Sequence, residues 1–245
     1  MDQQIQQSNC LYGIGIGPGD PDLITIGALK LLKNLSTILG PTLDINQAGR
    51  AETIVTQVVP DIKINRVVFP MSKDKNIHNS YLQAAEFIAP ILDKESVGFI
   101  TLGDPNIYST FSTLAKVIQS MKPQISIKTI PGITAFQSLS SLSQTILTQD
   151  NQSLSLISGL TNIQEIQLHL SQVENTVVIY KAGKNFSKIV QLLKKYNRYE
   201  DALLGELLGM VEEHISKLKD YPKNDVSYLS TIIVPSKVST HKGNL

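Results

Sequence analysis

Short apolar runs alternate along the chain with stretches in which apolar residues recur every three to four positions. The runs LYGIGI (11–16), STILG (36–40), NRVVF (65–69) and VGFIT (97–101) are compact and rich in β-branched residues, and they read as strands. The intervening stretches DLITIGALKLLKN, GRAETIVTQVV (49–59), YLQAAEFIAPILD and STFSTLAKVIQSM (109–121) carry helical spacing. In the first of these, Ile24, Ala28, Leu31 and Leu35 share one face. Asp20 is placed to cap its free N–H groups, and Pro21 suits a first helical position. Pro90 predicts a kink in the third helix. Strands alternating with helices predict an α/β architecture with parallel pairing.

The helical pattern breaks at Lys122-Pro123-Gln124, and a domain boundary is expected there, giving segments 1–122 and 123–245. The second segment repeats the alternation. Its strands are ISIKTI (125–130), SLSLIS (153–158), TVVIYK (176–181), ALLGEL (202–207) and YLSTIIVP (228–235); its helices are TAFQSLSSLSQ, NIQEIQLHLSQ and FSKIVQLLKKY. The expectation is therefore two α/β domains with mostly parallel sheets. In open parallel sheets ligands bind beyond the carboxyl ends of the strands, so the chemistry is sought in the loops that follow them.

Composition narrows the partners. With 22 basic and 21 acidic residues the net charge is +1, which gives no footprint for nucleic acid or a membrane surface. No apolar run approaches the ~20 residues that span a bilayer. The opening MDQQIQQSNC lacks the cationic start and apolar core of a secretory signal. Cys10 is the single cysteine; it cannot form an intrachain disulfide and fits a reducing compartment, so a cytoplasmic location is expected. It lies in a polar tail before the first strand, a poor place for a nucleophile. His78, His169, His214 and His241 are scattered without ligand spacing, and no metal is expected. G-x-S-x-G is absent; Ser158-Gly159 lacks the flanking glycine.

The first loop places Gly13, Gly15, Gly17 and Gly19 in seven residues, followed by Asp20 and Pro21. It does not match the dinucleotide fingerprint: Pro18 or Asp20 stands where the third glycine belongs. No lysine follows Gly19, so it is not a P-loop either. Two readings remain, a tight turn with a packing role and close approach of the backbone to a ligand without phosphate. Two further loops follow strands: Leu102-Gly103-Asp104-Pro105-Asn106-Ile107-Tyr108 and Pro131-Gly132-Ile133-Thr134-Ala135. The Asp104 carboxylate can accept hydrogen bonds from a ligand or cap the next helix.

These three loops, in this order and spacing, resemble those of the tetrapyrrole methylase family, S-adenosylmethionine-dependent enzymes of corrin and sirohaem synthesis. GIGPGDPDLIT is similar to the family's first motif, GDP at 103–105 to its second and PGITA at 131–135 to its third. TVVIYKAGK (176–184) and LSTIIV (229–234) agree more loosely. FPMSKDK (69–75) and TLGDPNIYSTFSTL (101–114) look like the branch that methylates carbon 20 of precorrin-2 or cobalt-factor II. Thr110 stands where sirohaem-forming relatives carry an arginine.

The resemblance implies two α/β domains with the methyl donor in a cleft between them, in a homodimer. Carried over by position, it implies donor contacts from Pro18, Leu102, Gly103, Asp104, Ile107, Thr134 and Ala135, and from Tyr180, Lys181 and Gly209. The tetrapyrrole substrate carries many carboxylates. Arg50, Lys73 and Lys75 are candidate cationic partners, and Tyr108, Ser109 and Thr110 are candidates to face the reacting ring. No residue is nominated as a general base. One departure is visible: the family commonly has Glu-Arg-x-Gly-Thr where this chain reads Glu206-Leu207-Leu208-Gly209-Met210. The alternatives are methylation at another tetrapyrrole carbon, as on uroporphyrinogen III, action on a diphthamide precursor, or a non-catalytic S-adenosylmethionine-binding protein.

Overall fold

The computed structural model describes residues 9–69 and 77–237. The chain divides into two units, residues 1–134 and 135–245. In the first, β1 (Cys10–Gly15), β2 (Thr37–Thr42), β3 (Ile64–Val68), β4 (Val97–Thr101) and β5 (Ser126–Ile130) form one sheet in the order β3-β2-β4-β1-β5. Every pairing in it is parallel, so all five carboxyl ends lie on one edge. The crossovers are helical: α1 (Ile26–Asn34), α2 (Arg50–Val58), α3 (Ile77–Leu92) and α4 (Thr110–Met121). Helices α3 and α4 pack on each other and on the sheet. There Phe69, Phe99 and Phe111 form a run of ring contacts, with centroids 6.0 and 6.1 Å apart, inside a core of Leu11, Leu39, Ile88, Leu92 and Leu114. β4 is buried at all five positions, as the central strand of a sheet covered on both faces must be.

The helix predicted from Asp22 starts later. Asp20 does cap, accepting from the Asp22 amide at 2.9 Å, but the turn it caps is a short 3-10 segment, Pro21–Leu23. The helix proper begins after Thr25, whose hydroxyl accepts from the Ala28 amide at 3.2 Å. Two capping residues in tandem split what the pattern shows as one element. Helix α3 continues through Pro90 to Leu92.

The second unit has β6 (Leu154–Ser158), β7 (Thr176–Tyr180), β8 (Leu203–Glu206), β9 (His214–Lys217) and β10 (Ser230–Val234) in the order β6-β7-β10-β8-β9. Here only β6 and β7 pair in parallel; the other three pairings are antiparallel. The sheet is thus mixed rather than mostly parallel, because β8, β9 and β10 follow one another without a helical crossover. Helices α5 (Ala135–Leu142), α6 (Ile163–Ser171) and α7 (Phe186–Lys195) accompany it. α6 and α7 enclose the larger core, with Ile166, Leu170, Ile189 and Leu193 against Val177, Ile179 and Ile232. α5 lies on the other side, where Leu139 meets Val178, Leu208 and Ile233.

The expected boundary at Pro123 needs correction. The strand that follows it, β5, pairs with β1 from Cys10↔Ser126 to Ile14↔Ile130 and so completes the first sheet. Pro123 ends a helix but not a domain; the division falls between Thr134 and Ala135. Among the described residues no helix is long and apolar enough to cross a membrane.

Candidate functional site

The three glycine-bearing loops follow β1, β4 and β5, which are adjacent strands with β1 in the middle. They are knitted together backbone to backbone. The Gly103 amide donates to the Gly17 carbonyl at 2.7 Å, and the Ile16 amide to the Thr101 carbonyl at 3.1 Å. A Cβ added at Gly132 would lie 2.1 Å from the Gly103 oxygen, and one at Gly15 would lie 2.6 Å from the Gly132 nitrogen. The glycines of the first and third loops are therefore required by each other and by the second loop. The packing reading of the first loop holds for Gly15.

Asp104 joins the second loop to the third. Its Oδ1 accepts from the Asn106 amide at 2.8 Å and its Oδ2 from the Gly132 amide at 3.1 Å. The Asn106 side chain adds a bond to Thr129 Oγ1 at 3.2 Å. The carboxylate thus braces two loops rather than capping α4. The cap is Ser109, whose Oγ accepts from the Phe111 amide at 3.1 Å and lies 2.9 Å from Thr101 Oγ1. Thr110 is the first residue of α4.

Gly103 differs from its two partners. Its φ is +64°, and a Cβ there would meet nothing nearer than 4.0 Å, the Ile133 oxygen and the Thr134 Cα. The left-handed backbone calls for glycine, and the position its side chain would take faces Ile133 and Thr134 without a close contact. Thr134 is buried, Pro18 is buried on the first loop, and Leu102 and Ile107 are half-buried. Tyr108 adopts φ 48° without being glycine and exposes 44% of its surface. Such conformations are costly and concentrate where function fixes the backbone.

Arg50 is exposed at the start of α2, one residue beyond Gly49, which serves as the N-cap. Because β2 is parallel to its neighbours, Arg50 belongs to the same sheet edge as the three loops. The loop before it is fixed by a different arginine. Arg66 holds Glu52 through Nε and Nη2, both at 2.8 Å, and donates from Nη1 to the Ile45 carbonyl at 3.1 Å. The Glu52 carboxylate raises the Arg66 pKa above its ordinary value. Lys73 and Lys75, with most of the FPMSKDK motif, lie outside the described residues.

In the second unit, Ala135 opens α5. Tyr180 ends β7, and its hydroxyl accepts from the Phe136 amide at 3.4 Å. Lys181 turns the chain in a left-handed conformation, φ 56°. Its amide donates to the Ser230 carbonyl at 2.9 Å. Gly209 has φ +71° and donates its amide to Glu213 Oε2 at 2.7 Å. So Tyr180 and Lys181 sit on one turn and Gly209 on another.

Two side chains that the sequence reading passed over hold this unit. Arg198, 1% exposed, donates to the carbonyls of Leu170, Gln172, Asn175, Val234 and Pro235 at 2.6–3.3 Å. It closes the end of α6 and ties it to β10. Burial pushes its pKa down to about 10, which leaves it charged at neutral pH. Glu206, 6% exposed, accepts from the Tyr221 hydroxyl at 2.6 Å and the Ser227 amide. Among the described residues neither has an ion-pair partner, and the apolar run LLGELLG around Glu206 is a sequence signal that could have marked it as buried. Among the described residues no cluster of His, Cys, Asp or Glu could hold a metal ion.

The sequence pattern of the Tetrapyrrole (Corrin/Porphyrin) Methylases matches residues 10–220. A precorrin-2 C(20)-methyltransferase of Sinorhizobium sp is 28% identical over 236 residues, covering 92% of this chain and 94% of the relative. A cobalt-precorrin-2 C(20)-methyltransferase of Salmonella typhimurium is 30% identical over 239 residues, covering 91% and 95%. Among solved structures, a cobalt precorrin-4 methyltransferase superposes with a TM-score of 0.70 at 17% identity, covering 92% of this chain and 94% of the other. A uroporphyrin-III C-methyl transferase from Thermus thermophilus, complexed with S-adenyl homocysteine, superposes with a TM-score of 0.62 at 20% identity, covering 92% and 97%.

Proposed function

The chain belongs to the tetrapyrrole (corrin/porphyrin) methylases, and from that premise we propose that it transfers the methyl group of S-adenosylmethionine to carbon 20 of precorrin-2 or of its cobalt-containing form. It is an S-adenosylmethionine-dependent C-methyltransferase of cobalamin biosynthesis. The observation that carries the carbon-20 assignment is that relatives named for that reaction align over more than nine-tenths of both chains.

The donor brings its own leaving group, a sulfonium, so the protein's task is alignment of an electron-rich ring carbon behind the methyl. Well-oriented reactants gain up to ~7–11 kcal/mol from such placement. The uncrowded backbone at Gly103, facing Ile133 and Thr134, supports close approach by a compact ligand without phosphate. We assign Pro18, Leu102, Gly103, Asp104, Ile107 and Thr134 to the donor on the first unit, and Ala135, Tyr180, Lys181 and Gly209 on the second. The Asp104 oxygens already accept two amides. Its first role is to brace the second and third loops, and its remaining lone pairs can meet a donor hydroxyl or amine. Tyr108, Ser109 and Thr110 follow the GDP turn and are assigned to the substrate ring; Ser109 meets it through its backbone, since its hydroxyl caps α4. Arg50, Lys73 and Lys75 are assigned to the substrate carboxylates. The proposal includes a homodimer, which light scattering tests directly: a monomeric mass removes it.

The experiment is turnover with methyl-labelled donor and, separately, precorrin-2 and cobalt-factor II. One labelled methyl at carbon 20, located by carbon NMR of the product, is the expected result. A methyl at another carbon moves the protein to a different branch of the family. Donor binding without turnover on either substrate makes it a binding protein.

A further inference from the structure

We propose that Glu206 is a positioning residue that holds the two donor turns of the second unit, residues 180–183 and 207–209, in one fixed arrangement. The inference rests on the reading that these turns meet S-adenosylmethionine.

Glu206 is the last residue of β8. The chain then turns at once, with Leu207 at φ 50° and Gly209 at φ +71°. The turn is closed by the Met210 amide on the Leu207 carbonyl at 2.9 Å. A buried carboxylate is tolerated only where donors satisfy it. Both of its donors among the described residues, the Tyr221 hydroxyl at 2.6 Å and the Ser227 amide at 2.5 Å, come from the segment between β9 and β10. The Tyr221 pKa is raised above its ordinary value by burial and then by its bond to Glu206, so its hydroxyl remains a donor.

That same segment supports the other turn. A Cβ at Gly183 would lie 2.9 Å from the Val226 oxygen and 3.4 Å from the Ser227 oxygen, so the backbone beyond Lys181 rests directly on residues 226 and 227. Lys181 Nζ lies 5.4 Å from the centre of the Tyr228 ring. One carboxylate therefore connects the end of β8 to Ser227, and Ser227 to the left-handed turn at Lys181. The rings of His214 and Phe186, 5.2 and 6.1 Å from that of Tyr221, limit where the phenol can go. An apolar residue would fill the space at 206 but leave the Ser227 amide without its acceptor, and the segment would be free to shift.

The test uses the full chain and S-adenosylhomocysteine as the probe. Glu206→Met keeps the volume and removes both acceptors. Glu206→Gln keeps an acceptor for Ser227, while the Tyr221 hydroxyl turns its proton to the Asp225 carbonyl, already 3.1 Å away. Calorimetry is expected to show binding about tenfold or more weaker in Glu206→Met and within about threefold of wild type in Glu206→Gln. KM for the donor is expected to rise in Glu206→Met, with kcat at saturating donor and KM for the tetrapyrrole little changed. If Glu206→Met does not fold, Tyr221→Phe decides, with donor binding expected to weaken by about threefold or more. A folded Glu206→Met, or failing that Tyr221→Phe, that binds the probe as wild type does overturns the proposal. So does a Glu206→Gln as impaired as Glu206→Met. If wild type itself does not bind the probe, the donor reading fails instead.

Discussion

In the first unit the turns after β1, β4 and β5 touch one another through Gly15, Gly103 and Gly132, with Asp104 laid across two of them. In the second unit the turns after β7 and β8 are linked through a third piece of chain, the segment between β9 and β10, on which the backbone at Gly183 rests and to which the Glu206 side chain reaches. The sheets explain the contrast. A fully parallel sheet delivers its loops to one edge on adjacent strands, close enough for backbones to meet. In the mixed sheet β10 lies between β7 and β8, so the turns that follow them start two strands apart and need longer reach. Where backbones meet, glycine is demanded and leaves a motif; where side chains reach, single polar residues suffice.

Substitutions sharpen this contrast. The largest effect is expected from Gly132→Ala. Its Cβ would fall 2.1 Å from the Gly103 oxygen, and neither backbone can yield without moving a second loop, so a cost of about 3 kcal/mol or more is expected. Thermal melting and S-adenosylhomocysteine calorimetry should fall together. A variant with wild-type melting and binding breaks the backbone-contact account. Next is Arg198→Met, which takes the donor from five carbonyls, two of them in buried bonds, those of Leu170 and Val234, at a cost of about 3 kcal/mol. This loss is expected in stability alone, since Arg198 lies away from both turns. Burial lowers the Arg198 pKa to about 10, below its value in the unfolded chain. The unfolded state then binds more protons only above about pH 10, so the loss should be flat across neutral pH and through mild acid.

Asp104→Ala is expected to cost about 1–2 kcal/mol by freeing the Asn106 and Gly132 amides, with donor binding weakened about tenfold or more. A stability loss without a binding loss would make Asp104 a brace alone. The smallest effect is Thr25→Ala, about 1 kcal/mol from the lost cap of α1, with binding unchanged. If Asp20→Ala lowers the melting temperature more than Thr25→Ala, the order of the two caps is wrong.

The pattern of apolar positions made most of the fold legible. All five strands of the first sheet follow from it, most plainly the central β4, because a strand covered on both faces writes a short continuous apolar run. The three loops were legible as motifs because glycine and proline are the residues their geometry demands. The side of the boundary to which β5 belongs was not legible, since pairing with β1 across more than a hundred residues leaves no local mark. β9, HISK, was missed because four residues without strong alternation carry too little signal. Arg198 was missed for a different reason. It looks like any surface arginine after a lysine pair, and its role comes from carbonyls contributed by α6, the turn before β7 and the end of β10. At the site, the three first-unit loops are neighbours because β4, β1 and β5 are adjacent strands, and the helix read from residue 109 does start there, with Ser109 as its cap and Thr110 as its first residue.

The knit of Gly15, Gly103 and Gly132 also governs how this scaffold can be re-engineered or can drift. A loop transplanted from a cousin with another regiochemistry cannot arrive alone, because its two neighbours are moulded to the one it replaces. The three must travel as a cassette, and a chimera built from one of them should misfold even when every transplanted residue is native to the donor protein.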